Sequence, residues 1–130
     1  MTGGNDSVGR HLTENHLYQL AHRLARPIVG FCHGAFAIND LAAGINGRVE
    51  GHVAKEHNII MEDKILTVNS FHSQCIAQLA PGFESLAVDT QGHVEAFQHV
   101  FKPIWGVVWH PERMSQPIVP RSLADFLRRT

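Results

Sequence analysis

The stretch Pro27-Ile28-Val29-Gly30-Phe31-Cys32-His33-Gly34 constrains this chain more than any other, because an apolar run delivers a cysteine between two glycines. Four or five apolar residues bounded by Pro and Gly read as a buried parallel strand, and Ala35 through Ala43 continue with helical composition. Little chain separates the two, so the turn between them must be tight. Gly-x-Cys-x-Gly in a strand-turn-helix setting is the cysteine form of a nucleophile elbow: the glycines let backbone approach backbone, and one side chain is pushed out of the bend. At a helix N-terminus the N–H groups and the dipole favour a thiolate, so this setting predicts a Cys32 pKa below the ordinary thiol value of ~8.5. The competing reading of Cys32 is a small buried hydrophobe.

A chain of 130 residues, 44% hydrophobic and 18% charged, can bury a core as one ordinary domain, and no repeat or linker divides 1–130. A formal net charge of -1 and a pI near 6.8 argue against a nucleic-acid partner, since there is no basic excess to displace counterions from phosphate. A small-molecule substrate is expected instead. The two cysteines, Cys32 and Cys75, form no CxxC pair, and neither a signal peptide nor an apolar run near ~20 residues is present. The expectation is a cytoplasmic protein with reduced thiols and no membrane partner. Ten histidines raise the question of a metal, but no HExxH and no zinc-finger spacing accompanies them, so no metal and no cofactor is expected.

Along the chain, Met1-Thr2-Gly3-Gly4-Asn5-Asp6 is a glycine turn with no strand before it. Thr13 as N-cap, with Leu17, Leu20, Ala21 and Leu24 at helical spacing, predicts a helix over 13–25 that leads into the elbow strand. Ala43 to Gly47 is a breaker, with short strands expected near 48–53 and 57–60. Lys64 to Asn69 reads as a strand that ends on the polar cluster Asn69-Ser70-Phe71-His72-Ser73-Gln74, and strand ends are where α/β folds keep their ligands. Leu86–Asp89 and Val94–Phe97 flank Thr90-Gln91-Gly92-His93 as a hairpin. A further strand, Ile104 to Trp109, runs into His110-Pro111-Glu112, and Arg121 to Arg129 closes the chain as a helix with Leu123, Phe126 and Leu127 on one face.

In His110-Pro111-Glu112 the imidazole and the carboxylate are two residues apart, so in extended backbone both project from the same face. Pro111 pushes His110 toward an extended conformation and restricts the link between them. The spacing suits a Cys32–His110–Glu112 triad, in which His110 is the base and Glu112 orients it. The competing reading is a plain loop after an edge strand. Acyl transfer also needs donors for an oxyanion, and the backbone N–H groups of His33 and of Gly3-Gly4 are the candidates.

Taken together, Gly30-Phe31-Cys32-His33-Gly34, Val68-Asn69-Ser70-Phe71-His72 and Gly106 through Glu112 resemble the class I glutamine amidotransferases. More narrowly they are similar to the γ-glutamyl hydrolase branch, the C26 peptidases. The resemblance implies a flavodoxin-like α/β fold, a mostly parallel sheet with helices on both faces. It carries nucleophile onto Cys32, base onto His110, orienting acid onto Glu112 and oxyanion donors onto the Gly4 and His33 amides. It also implies that Asn69, Ser70 and His72 line a glutamyl pocket and that Glu95 meets the substrate's α-amino group. Lys55, His57 and Arg113 would face a diphosphate. The combination of the glycine turn, Asn69 to His72, Glu95 to Phe97 and Trp109 to Arg113 is most similar to enzymes that cleave a γ-glutamyl P–N-linked amide. Those release glutamate and cytidine diphosphoramidate through a γ-glutamyl thioester, in capsule modification.

The family carries a strand-helix-strand region before its glycine turn, whereas this chain begins at the turn. The resemblance thus implies a partial domain that is poorly stable alone or is covered by another chain or a second copy, or else a Met1 internal to a longer protein. At position 33 the family usually has arginine or another residue, which leaves His33 a backbone role only. Two other readings stay open: a glutaminase subunit feeding ammonia to a synthetase, and an inactive remnant serving as an interaction module.

Overall fold

The computed structural model describes residues 8–24, 26–48, 53–71 and 74–129. In chain order its elements are α1 (Val8–Leu24), β1 (Ile28–Phe31), α2 (His33–Leu41), β2 (Ile45–Arg48), β3 (Val53–Met61), β4 (Lys64–Phe71), β5 (Gln74–Gln78), β6 (Phe83–Asp89), β7 (Val94–His99), β8 (Ile104–Val107) and α3 (Arg121–Arg128), with a 3-10 turn at Pro111–Arg113. The strands form one sheet ordered β1-β8-β7-β6-β3-β4, while β5 pairs with both β2 and β7.

β1 and β8 run parallel, Ile28 opposite Ile104 and Phe31 opposite Val107. The other pairings among the described residues are antiparallel. The expected mostly parallel sheet is therefore corrected to a mixed, curled one. The physical reason is that β3–β4 and β6–β7 are hairpins, which can only reverse a strand, and a parallel neighbour needs a crossover of a dozen residues or more. α2 is followed by such a crossover, and β1–β8 is where it is used.

Strand β8 separates two cores by its pleat. Trp105, Val107 and Trp109 pack with Leu123 of α3 on one face, while Ile104 and Val108 pack with Tyr18 of α1 and Ala35, Phe36 and Ile38 of α2 on the other. Helices thus cover both faces of the strand that leads to His110.

Two helix expectations are adjusted. α1 begins at Val8, so Thr13 lies inside it rather than capping it. It buries Tyr18 and leaves Leu17 and Leu24 about half exposed, so the core-facing stripe is not the leucine series. β2 begins at Ile45 within the expected breaker, and β5 falls outside the expected strands, because Gln74-Cys75-Ile76-Ala77-Gln78 offers only two adjacent buried positions as a strand signal.

Candidate active site

The elbow is built by a backbone conformation that side chains avoid. Cys32 has φ 51 and ψ -105, a left-handed value that costs a non-glycine residue on the order of 1–3 kcal/mol. Its N–H donates to the Val107 carbonyl at 2.8 Å, which ties the bend to β8, and its carbonyl accepts from Phe36 N–H at 3.2 Å as α2 begins. Gly30 makes the turn feasible: a Cβ there would sit 2.5 Å from the Gly34 carbonyl carbon and oxygen and 2.8 Å from Ala35 N. No side chain fits between strand and helix at that closeness.

Cys32 is 8% exposed. Burial pushes its thiol up, above the ordinary value. A hydrogen bond from the His33 backbone N–H and the charge of Arg113 pull the other way, while the carboxylates of Glu112 and Glu95 add to the rise. The expected lowering is corrected in direction, because desolvation of a buried sulfur outweighs the donors of one helix start. The resting residue is a thiol, and reaction needs a base.

The carboxyl ends of β1 and β8 lie side by side, so the residues that follow them, Cys32 and Val108-Trp109-His110, share one end of the sheet. That is where ligands of open α/β sheets bind. His110 is buried, and its Nδ1 lies 2.6 Å from Glu112 Oε2. The carboxylate accepts, so Nδ1 carries the proton and Nε2 carries the lone pair. The contact is made through a turn rather than extended backbone: His110 has φ -107 and ψ 88 ahead of the 3-10 turn. Proline at the first position of that turn donates nothing there, and the tightening folds Glu112 back onto the ring.

Of the residues expected to bind substrate, Asn69 is engaged with the His110 backbone, donating from Nδ2 to its carbonyl at 2.8 Å and accepting from its N–H at 2.8 Å. Ser70 is fully buried on β4. Glu95, 1% exposed, pairs with His57 Nε2 at 2.7 Å, and its charge reaches Cys32. His57 is therefore drawn inward to a carboxylate and not presented as a surface ligand. Gly3, Gly4 and His72 lie outside the described residues, as does the side chain of Lys55. The His57–Glu95 pair and the Asn69–His110 pair are not legible in the sequence, since each joins positions about forty apart. Polar residues within strand-like stretches, Glu95 and Asn69, were the available signal.

Among the described residues, no group of three or more His, Cys, Asp or Glu is arranged to hold a metal ion, and no helix is long and apolar enough to cross a membrane.

Solved glutamine amidotransferases share this fold. One from Thermotoga maritima superposes with TM-score 0.75 at 14% identity, covering 85% of this chain and 54% of that one. Another, from Methylobacillus flagellatus, gives 0.73 at 15% identity over 95% of this chain and 67% of that one. The α/β class is thus that of the class I glutamine amidotransferases. Within it, residues 45–112 match the Peptidase C26 family model, and the chain belongs to that family. The match contains Asn69, Glu95 and His110 and ends on Glu112. Among curated relatives, the γ-glutamyl-CDP-amidate hydrolase of Campylobacter jejuni is 29% identical over 122 residues, 87% of this chain and 60% of that protein. One of the subunits of the glutamine-hydrolysing GMP synthase of Methanosarcina barkeri is 38% identical over 110 residues, 78% of this chain and 58% of that protein. The chain thus spans about three-fifths of the length of these relatives.

Proposed function

We propose that this chain carries the catalytic half-site of a cysteine-dependent γ-glutamyl amide hydrolase. The observation that carries the reading is the conjunction of a strained Cys32 elbow with a His110–Glu112 pair at neighbouring ends of the parallel strands β1 and β8. His110 Nε2 removes the Cys32 proton as sulfur attacks the γ-carbonyl carbon of the substrate. Glu112 holds the tautomer and stabilises the imidazolium that forms. The His33 backbone N–H, with Gly4 as its expected partner, donates to the developing oxyanion. The tetrahedral species collapses, the C–N bond breaks, and the proton on His110 passes to the leaving nitrogen. A water that loses its proton to His110 then attacks the γ-glutamyl thioester, and glutamate leaves with the thiol restored.

The preferred substrate is a γ-glutamyl-CDP-amidate, giving glutamate and cytidine diphosphoramidate for capsule modification, and the Campylobacter relative supports it. Ser70, His72 and Glu95 would then border the glutamyl group, with Arg113 toward the diphosphate. Two buried free thiols, Cys32 and Cys75, suit a cytoplasmic location. A second reading is a glutaminase subunit that supplies ammonia to a synthetase, favoured by the repeated similarity to subunits of glutamine-hydrolysing GMP synthases. A homo-oligomer or a covering chain belongs to either reading.

Glutamate release from the γ-glutamyl-CDP-amidate and from free glutamine tests both readings. Cys32→Ala should lower release by about 1,000-fold or more. Unchanged turnover in that variant would end the cysteine mechanism. Turnover of glutamine alone, and only with a synthetase present, would favour the ammonia-supplying role.

A further inference from the structure

We infer that Asn69 is the positioning residue for His110, holding the base in place across the curl of the sheet. The inference rests on His110 as the base of the proposed reaction, and it gives Asn69 a different task from the glutamyl-pocket role its motif suggested.

Sheet order puts β7, β6 and β3 between β8 and β4. Four interstrand steps of about 4.8 Å would place Asn69 about 19 Å from the end of β8 in a flat sheet. Its side chain is instead in hydrogen-bond contact with His110. The bend has a local origin. Only Ile59, Ile60 and Met61 of β3 pair with β6, whereas β4 is paired along Val53 to Met61. The far end of the β3–β4 hairpin is therefore not fixed by β6 and can fold over the site. It is fastened there at two points, His57 on Glu95 at 2.7 Å and Asn69 on His110 at 2.8 Å.

The Asn69 contact matches donor to acceptor on both sides. Oδ1 takes the His110 N–H, and Nδ2 gives to the His110 carbonyl, which also accepts Arg113 N–H at 3.1 Å. A flipped amide would set N–H against N–H, so one orientation satisfies both groups. The clamp acts on the His110 backbone, whereas Glu112 acts on its ring. Glu112 fixes the ring, yet its side chain is 54% exposed and long. The ladder of β8 last appears as Val108 N–H to the Glu95 carbonyl at 2.8 Å, two residues earlier. Asn69 replaces that ladder at His110 and sets where Nε2 points.

The test compares wild type, Cys32→Ala, Asn69→Ala and Asn69→Asp in two measurements. In steady-state hydrolysis, Asn69→Ala should lower kcat by about 100-fold with KM within about twofold, because loss of placement acts on the reacting geometry. Asn69→Asp keeps the acceptor for the His110 N–H and should recover about tenfold of that loss. A raised KM with kcat intact would instead make Asn69 a substrate ligand and overturn the inference. In the ligand-free proteins, the downfield proton resonance of the His110 Nδ1–H on Glu112 is followed by NMR. It should disappear or broaden in Asn69→Ala and persist in Cys32→Ala. An unchanged resonance in Asn69→Ala would sink the inference. If wild type shows no Cys32-dependent turnover, the hydrolase reading fails, and the resonance alone decides the role of Asn69. If Asn69→Ala does not fold, Asn69→Asp takes its place, with the resonance shifted or weakened as the supporting result and unchanged as the opposing one.

Discussion

At Cys32, burial and local donors oppose each other, and burial prevails. The motif Gly-Phe-Cys-His-Gly announces a nucleophile by its glycines, yet says nothing of how many apolar neighbours will surround the sulfur. That burial arises where the bend is tied to Val107 of β8 and to the start of α2, a contact that only folding assembles. A raised pKa means that the thiolate fraction at neutral pH is smaller than in a free thiol, so alkylation by iodoacetamide should still accelerate as pH rises past the ordinary thiol value. Arg113 supplies a cationic pull on the thiolate. Arg113→Ala should therefore slow alkylation at pH 8 several-fold and move its pH midpoint higher. A rate already on its plateau at pH 7 in wild type would contradict the upward direction.

At the scale of elements, the β1–α2 junction was the most legible part of the chain, and the structure gives the reason. Gly30 stands where strand and helix touch through backbone alone, so its requirement is local and written in the sequence. Gly30→Ala should destabilise by about 3 kcal/mol, since the atoms its Cβ would meet are main-chain atoms that cannot turn aside. Urea unfolding measures it, and a midpoint matching wild type would show that helix and strand can separate. α1 was less legible. Leucines at helical spacing suggested the buried stripe, but Tyr18 is the residue that reaches the core and Leu17 and Leu24 face outward. Helix periodicity is a local property, whereas the face that is covered depends on how α1 lies against α2. β5 is set by its neighbours in the same way, since β2 and β7 complete it from either side.

At the scale of the whole molecule, ionisable groups on separate elements combine into one pH profile. Burial pushes the Cys32 and Cys75 thiols and the Tyr18 phenol up. The folded protein holds those protons where the unfolded chain has lost them, so stability falls as pH rises past the ordinary thiol value of ~8.5. Burial pushes His22 and His99 down, with Lys102 beside both and His22 also acting on His99. Below the ordinary imidazole value of 6.5 the unfolded chain binds protons that the fold refuses, and stability falls again. Asp89 is held below its ordinary value by hydrogen bonds from His93 and Gln91 that outweigh its burial, which adds a further loss in stronger acid. Melting temperature should therefore peak between the ordinary imidazole value of 6.5 and the ordinary thiol value of ~8.5. A maximum on the acid side of that window would reverse the sign assigned to the histidines. By itself the sequence determined the elbow at Cys32, the His110–Glu112 pair and the hairpin between Leu86 and Phe97, because each is a contact between residues within a few positions, where backbone geometry alone decides. Only the tertiary structure decided the mixed sheet, the raised Cys32 pKa, the His57–Glu95 pair and the Asn69 clamp. Those depend on how far the sheet curls, a sum over many strand contacts that no short stretch of chain contains.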